Sequence, residues 1–270
     1  MPVEKYLGVP LHRPKVAFFE FTACEGCQLQ ILNNEATLLD FLSLVEVVSF
    51  REAMKESTGD YEIAFIEGSI TRADEVKRLK DIRKKAKVLV AMGSCACFGG
   101  VNQLKNRFNN PKWVKDQVYG KFPVESEEAR PIEDVVTVDL KIYGCPIKKE
   151  EVEKVVTNLV LGKSVNHPKY PVCMECMANE NICLYKLGEP CLGPVTRDAW
   201  CPGNRCGCWG CRGPADAANV EQIISIMKEH NFSPDTIIDR LECFGGFREF
   251  AEELKRKTVK AKTKKKRAGK

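Results

Sequence analysis

Eight of the 14 cysteines in this chain fall between residues 173 and 211, in a stretch that offers no conventional hydrophobic core. They are Cys173, Cys176, Cys183, Cys191, Cys201, Cys206, Cys208 and Cys211. The segment is rich in Gly and Pro and has almost no periodic apolar run, so bound metal would have to organise it. A cubane [4Fe–4S] cluster takes four thiolates, and eight thiolates suggest two clusters. Cys173-x2-Cys176-x6-Cys183-x7-Cys191 reads as one four-ligand set, and Cys201-x4-Cys206-x1-Cys208-x2-Cys211 as the other. Prolines 171, 190, 194, 202 and 214 favour turns between the ligands. Neither spacing reproduces the bacterial ferredoxin run, so exchange of ligands between the sets stays open. Zinc also accepts four thiolates. Three zinc sites on one chain would have no evident purpose, whereas three clusters in a row form a path for electrons.

Cysteine usage has to be read against compartment. The start, MPVEKYLGVPLHRPK, has no apolar signal core and no twin arginine, so the expected location is cytoplasmic. Disulfides are uncommon there, and clustered cysteines bind metal or do redox work. No run approaches the ~20 apolar residues of a membrane span, and no membrane insertion is expected. The formal charge of +5 is misleading: ten of the 42 basic residues lie in 255–270 with no acid among them, leaving the rest of the chain near −5. A like-charge block of this kind reads as a disordered, solvated tail. It carries no aromatic for base stacking, and no nucleic-acid partner is expected.

The N-terminal half reads as alternating strands and helices. Strands are expected at Val16–Phe21, Val45–Phe50, Glu62–Ile66, Lys87–Met92 and Val135–Leu140. They are apolar without strict alternation, as strands covered on both faces are. Helices are expected at about 28–43, 73–85 and 150–161, with Thr71 or Asp74 capping the second. Residues 103–133 look like an inserted loop with one helical turn. This pattern calls for a flavodoxin-like, doubly wound parallel sheet over about 15–163. A Cys-rich, cluster-organised domain with few helices is expected over 164–257. Its candidate helices are Ala217–His230, Pro234–Leu241 and Phe247–Lys257. Residues 1–14 are a short N-terminal extension and 258–270 the basic tail.

Three cysteine motifs punctuate the first domain. Cys24-Glu-Gly-Cys27 follows the first strand, Gly93-Ser-Cys95-Ala-Cys97 the fourth and Gly144-Cys145-Pro the fifth. Each sits at the carboxyl end of a strand, where open α/β sheets bind their ligands. Parallel strands bring those ends together, giving a thiol pair and two single thiols at one site. Cys95, nearer its strand, is favoured over Cys97, which reads as a buried spare. A lone CxxC is compatible with a thioredoxin-type dithiol or half a zinc site, but the dithiol leaves Cys95 and Cys145 unexplained. Glu67 ends the third strand in the same crevice and reads either as a group beside the ligands, a hydrogen-bond partner or proton relay, or as a helix-capping or loop acid. The histidines (His12, His167, His230) stand away from the cysteine motifs and read as surface or packing residues. Cys243 reads as a buried hydrophobe, and Trp200 and Trp209 as packing over the last ligands. No phosphate-cradling GxxxxGK, no GxGxxG and no Ser-His-Asp order is present.

The ordered set ACEGCQLQ, FIEGSI, GSCACFGG, YGCP, CLGPVTR and CWGCRGP resembles the small, electron-transfer subunit of [NiFe] hydrogenases. It is most similar to the cytoplasmic group of sulfhydrogenase, deazaflavin-reducing and heterodisulfide-linked enzymes. The resemblance covers residues 14–215. It implies a proximal cluster on Cys24, Cys27, Cys95 and Cys145, and a distal cluster on Cys173, Cys176, Cys183 and Cys191. It implies a medial cluster on Cys201, Cys206, Cys208 and Cys211, where the match is less clean because the stretch before CWGC is short and Cys206 is out of place. The implied partners are a large subunit carrying the nickel–iron centre and an electron-acceptor subunit with flavin, deazaflavin or Fe–S centres. The chain itself would be the non-catalytic subunit of an oxidoreductase acting on H2. The competing readings are an electron-transfer subunit of a related complex I-like oxidoreductase and a zinc-organised interaction module.

Overall fold

The computed structural model describes residues 5–11, 13–108, 110–198 and 201–268. The chain divides into two compact units, Met1–His167 and Pro168–Lys270. The first opens with a two-stranded antiparallel pair, β1 (Lys5–Tyr6) and β2 (Val9–Pro10). Its centre is a five-stranded sheet of β3 (Lys15–Glu20), β4 (Glu46–Phe50), β5 (Ile63–Glu67), β6 (Val88–Met92) and β7 (Leu140–Ile142). All pairings are parallel, in the order β4-β3-β5-β6-β7, the strand order of flavodoxin-like folds.

Every residue of β5 and β6 is buried, which is why these strands are apolar without alternation. Period-two geometry then sends Phe18, Phe65, Val90 and Met92 to one face and Ala17, Ala64, Ile66 and Ala91 to the other. The first face is covered by α1 (Gly26–Leu32), α2 (Leu38–Leu44) and α6 (Lys149–Val160), through residues such as Ile31, Phe41, Val152 and Val156. The second carries α3 (Ala73–Lys85) and α4 (Gly93–Phe98). Each such buried side chain contributes roughly 1.5–3 kcal/mol.

Four local expectations change. The helix expected over 28–43 is broken at residues 33–37, because Asn34 and Thr37 turn their side chains onto the Glu153 carboxylate of α6. The last strand starts at Leu140, not Val135. Val135, Val136 and Val138 are part-buried against the core without a ladder, and Asp139 accepts the Leu89 N–H at 2.7 Å where a strand would continue. The inserted loop holds a 3-10 segment, Gly100–Arg107, and a helix α5 (Pro111–Tyr119) capped by the Asn110 side chain. The start of α3 is satisfied by Glu75, whose carboxylate accepts Thr71 N–H at 2.8 Å and Arg72 N–H at 3.1 Å, rather than by a Thr71 or Asp74 cap.

The second unit corrects the expected fold class, because it is helix-rich. It contains α7 (Val172–Ala178), α8 (Val220–Glu229), α9 (Pro234–Glu242) and α10 (Arg248–Ala268), with 3-10 turns at Leu184–Leu187 and Cys201–Asn204. Asn219 and Ser233 cap α8 and α9 with their side-chain oxygens, and Pro234 opens α9 at a position needing no N–H. Ile223, Met227, Ile237, Leu241, Phe247 and Leu254 form a conventional core, to which the cysteine segment adds Val172, Leu192 and Val195. The helix α10 continues through the basic residues that the sequence assigns to a tail. No helix among the described residues is long and apolar enough to cross a membrane.

Candidate iron–sulfur sites

The carboxyl ends of β3, β6 and β7 carry the first thiol set. Cys27 lies in the first turn of α1 and is buried, Cys95 lies on α4, and Cys24 and Cys145 are exposed in the loops. The Ser94 N–H donates to Gly144 O at 2.7 Å, tying the Cys95 helix to the Cys145 turn. Glycine is required where the thiols lie. A Cβ at Gly93 (φ +86) would stand 2.5 Å from Cys27 Sγ, and one at Gly100 (φ +59) 2.6 Å from Cys95 Sγ. Cys97 points away, its sulfur 3.5 Å from both Ala91 O and Ile142 O in the core.

Glu67 stands at the centre of this crevice and is buried. Its carboxylate accepts Cys27 N–H at 3.0 Å and Gln28 N–H at 3.1 Å, so an acid at the end of β5 fixes the start of the helix that carries Cys27. Burial pushes its pKa up, against the two N–H donors. The neighbouring Gln28 is also buried, a feature the sequence does not reveal because Gln28 looks like an ordinary helix-start residue.

The thiols feel one another. Burial raises the Cys27 pKa most, followed by the charges of Glu67, Cys145 and Cys95. Cys95 is pushed up to about 12, by burial first and then by Cys145 and Cys24. Buried thiols such as Cys27 and Cys95, which resist ionising, are suited to a cationic iron core, which supplies the positive charge that thiolate ligation needs.

In the second unit Cys173 and Cys176 lie one turn apart on α7. The Cys173 and Cys191 sulfurs both flank Gly193, at 3.6 and 3.2 Å from where its Cβ would be. Cys173 is pushed up to about 12 by burial and then by Cys191, Cys176 and Cys183, so these four form one electrostatic group. Cys191 accepts N–H donors from Gly193 at 3.3 Å and from Cys208 at 3.2 Å, the kind of bond that orients a cluster ligand. The remaining four are not a closed group. Cys201 is raised by burial and then by Cys206 and Cys191, and Cys208 by burial and then by Cys191 ahead of Cys211. Among the described residues, no group of three or more His, Cys, Asp or Glu side chains is drawn close enough to hold a single metal ion. Trp209 stacks under the Arg240 guanidinium at 3.4 Å. His167 meets Tyr143 edge-on and His230 stacks on Tyr185. His12 and Trp200 lie outside the described residues. The buried ion pair Asp198–Arg212 and the buried Arg240 were not singled out in the sequence, where each looks like a surface charge.

A parallel sheet with thiols at its strand ends, followed in the chain by a thiol-rich helical unit, is an arrangement suited to an iron–sulfur electron-transfer protein. The family model for the NADH ubiquinone oxidoreductase 20 Kd subunit matches residues 24–159, the span holding Cys24, Cys27, Glu67, Cys95 and Cys145. Sulfhydrogenase 2 subunit delta of Pyrococcus furiosus is 38% identical over 233 residues, covering 84% of this chain and 96% of the relative. The F420-non-reducing hydrogenase of Methanocaldococcus jannaschii has a subunit that is 29% identical, over 75% of this chain and 82% of its own length. A chain of the NAD+-reducing [NiFe]-hydrogenase in its H2-reduced state superposes with a TM-score of 0.52 at 26% identity, covering 58% of this chain and 96% of that one. An actinobacterial-type NiFe-hydrogenase chain from Ralstonia eutropha H16 shares the fold over 92% of this chain and 93% of its own, with a TM-score of 0.52 at 15% identity. The chain belongs to the 20 Kd-subunit family and, within it, to the small electron-transfer subunits of [NiFe] hydrogenases. It is a redox-active, non-catalytic subunit of a hydrogenase-type oxidoreductase.

Proposed function

We propose that this chain holds three [4Fe–4S] clusters and relays electrons between the nickel–iron centre of a large subunit and a flavin, deazaflavin or Fe–S partner in the cytoplasm. Residues 15–163 would hold the proximal cluster through Cys24, Cys27, Cys95 and Cys145. Residues 164–257 would hold the distal cluster on Cys173, Cys176, Cys183 and Cys191 and the medial cluster on Cys201, Cys206, Cys208 and Cys211. When bound, the clusters supply one-electron storage and transfer. The protein positions the thiolates, excludes Cβ atoms from their vicinity and aims N–H donors at sulfur.

The observation that carries this reading is the arrival of Cys24, Cys27, Cys95 and Cys145 at the carboxyl ends of the strands from three separate segments, where Cys27 feels Cys145 and Cys95, and Cys95 feels Cys145 and Cys24. The exposed side chains of Met174, Met177, Ile182 and Leu187, close in sequence to Cys173, Cys176 and Cys183, support an exit toward an acceptor protein. Glu67 acts by fixing the Cys27 helix turn. The test is H2-dependent dye reduction by the anaerobically purified complex carrying Cys145→Ser. The expected result is loss of about four irons per chain together with the activity. Full iron and full activity would remove Cys145 from the ligand set.

A further inference from the structure

The α9 helix lies outside the residues matched by the family model, yet it sends a cation into the cysteine segment. Arg240 is buried to 7% exposure. Its guanidinium lies over the Trp209 ring at 3.4 Å from the centroid. Its Nη1 donates to Gly207 O at 3.3 Å. Both contacts fall inside the run Cys206-Gly207-Cys208-Trp209. A Cβ at Gly207 would meet Pro190 O at 2.2 Å and stand in ordinary contact, 3.5 Å, with Arg240 Nη1, so the loop passes closely between Pro190 and the arginine. The nearest carboxylate, Glu189, is half-exposed and 4.0 Å away, a weak partner for a desolvated cation.

A guanidinium stays charged when buried, and burying a charge without a counter-charge is strongly unfavourable. Burial opposes the charge of Arg240, while Cys206 first, then Cys191, the Glu189 carboxylate and Cys208, favour it.

We propose that Arg240 is a positioning residue that clamps the Cys206–Cys208 loop against Trp209 and, as a fixed positive charge, raises the reduction potential of the cluster on Cys201, Cys206, Cys208 and Cys211. The inference rests on the reading that these thiols hold iron. Adding an electron to a cluster adds negative charge, so a fixed cation favours the reduced form. A unit charge acting over about 10 Å through an effective dielectric near 20 biases such an equilibrium on the order of tenfold, about 59 mV for one electron.

The experiment is a potentiometric titration of the intact complex followed by electron paramagnetic resonance, with iron counted in each sample. Arg240→Gln is expected to keep its iron and move one reduced-cluster signal about tenfold against reduction, to lower potential. Arg240→Lys, which keeps the charge, is expected to leave that signal near its original midpoint. If Arg240→Gln holds its iron and every midpoint is unchanged, or if Arg240→Lys shifts as far, the inference fails. If Arg240→Gln sheds iron, Arg240→Lys decides: an unmoved midpoint at full iron supports the fixed charge, and a moved one overturns it. Failure of the underlying reading looks different, as the unsubstituted complex would then show iron and signals for the sheet-edge cluster alone.

Discussion

Gly93→Ala isolates the demand that a cluster site makes on its backbone. Gly93 has φ +86, and an added Cβ would lie 2.5 Å from Cys27 Sγ and 3.6 Å from Gly144 O. The left-handed conformation costs an alanine roughly 1–2 kcal/mol. Forcing a methyl into the space of the sulfur adds about 1–3 kcal/mol of overpacking, or else displaces the thiol. Gly188→Ala is the control, because it is left-handed there, with φ 76 and ψ 16, and nothing lies within 4 Å of the Cβ position. It carries the strain without the clash. Both variants are purified anaerobically, their iron is counted, and their unfolding in denaturant is measured. Gly93→Ala is expected to lose about four irons per chain and about 2–5 kcal/mol of stability. Gly188→Ala is expected to keep its iron and lose only about 1–2 kcal/mol. If Gly93→Ala keeps its full iron and is no less stable than the control, Cys27 is not held where a ligand must be.

Substitutions at two further positions probe the first thiol set and its surroundings. Glu67→Ala leaves the Cys27 and Gln28 N–H groups without their acceptor, at roughly 1–3 kcal/mol each, less what is regained by removing a desolvated carboxylate. Denaturant unfolding is expected to show a clear loss, smaller in Glu67→Gln because one acceptor oxygen remains, and a change within about 0.5 kcal/mol in Glu67→Ala would mean the contacts are idle. Cys97→Ser, with its side chain facing Ala91 O and Ile142 O, is expected to leave iron and the cluster spectra unchanged, and a loss of four irons would make Cys97 a ligand.

The sheet was legible because its strands are nearly pure apolar runs, VLVAM above all, and because each cysteine motif directly follows a strand. Convergence at the sheet edge follows from parallel topology alone. What escaped the sequence depends on contacts distant along the chain. The break between α1 and α2 needs Glu153, which accepts from Asn34 across 119 residues. The run VVTVDL has the composition of a strand, but Asp139 ends its ladder by taking the Leu89 N–H. The helices of the second unit were understated where they are shortest: α7 has seven residues behind Pro171 and is too brief to show a period. Arg240 has the sequence signature of an exposed helix residue, and only its seat over Trp209 reveals it as buried.

The central claim is most directly tested by counting metal and reducible centres in the complex as it comes from cells under strict exclusion of oxygen. The account predicts about twelve irons per small subunit, little zinc, and three paramagnetic [4Fe–4S] centres on stepwise reduction. Stoichiometric zinc in place of iron, or a folded and partnered chain without a reducible centre, would contradict it.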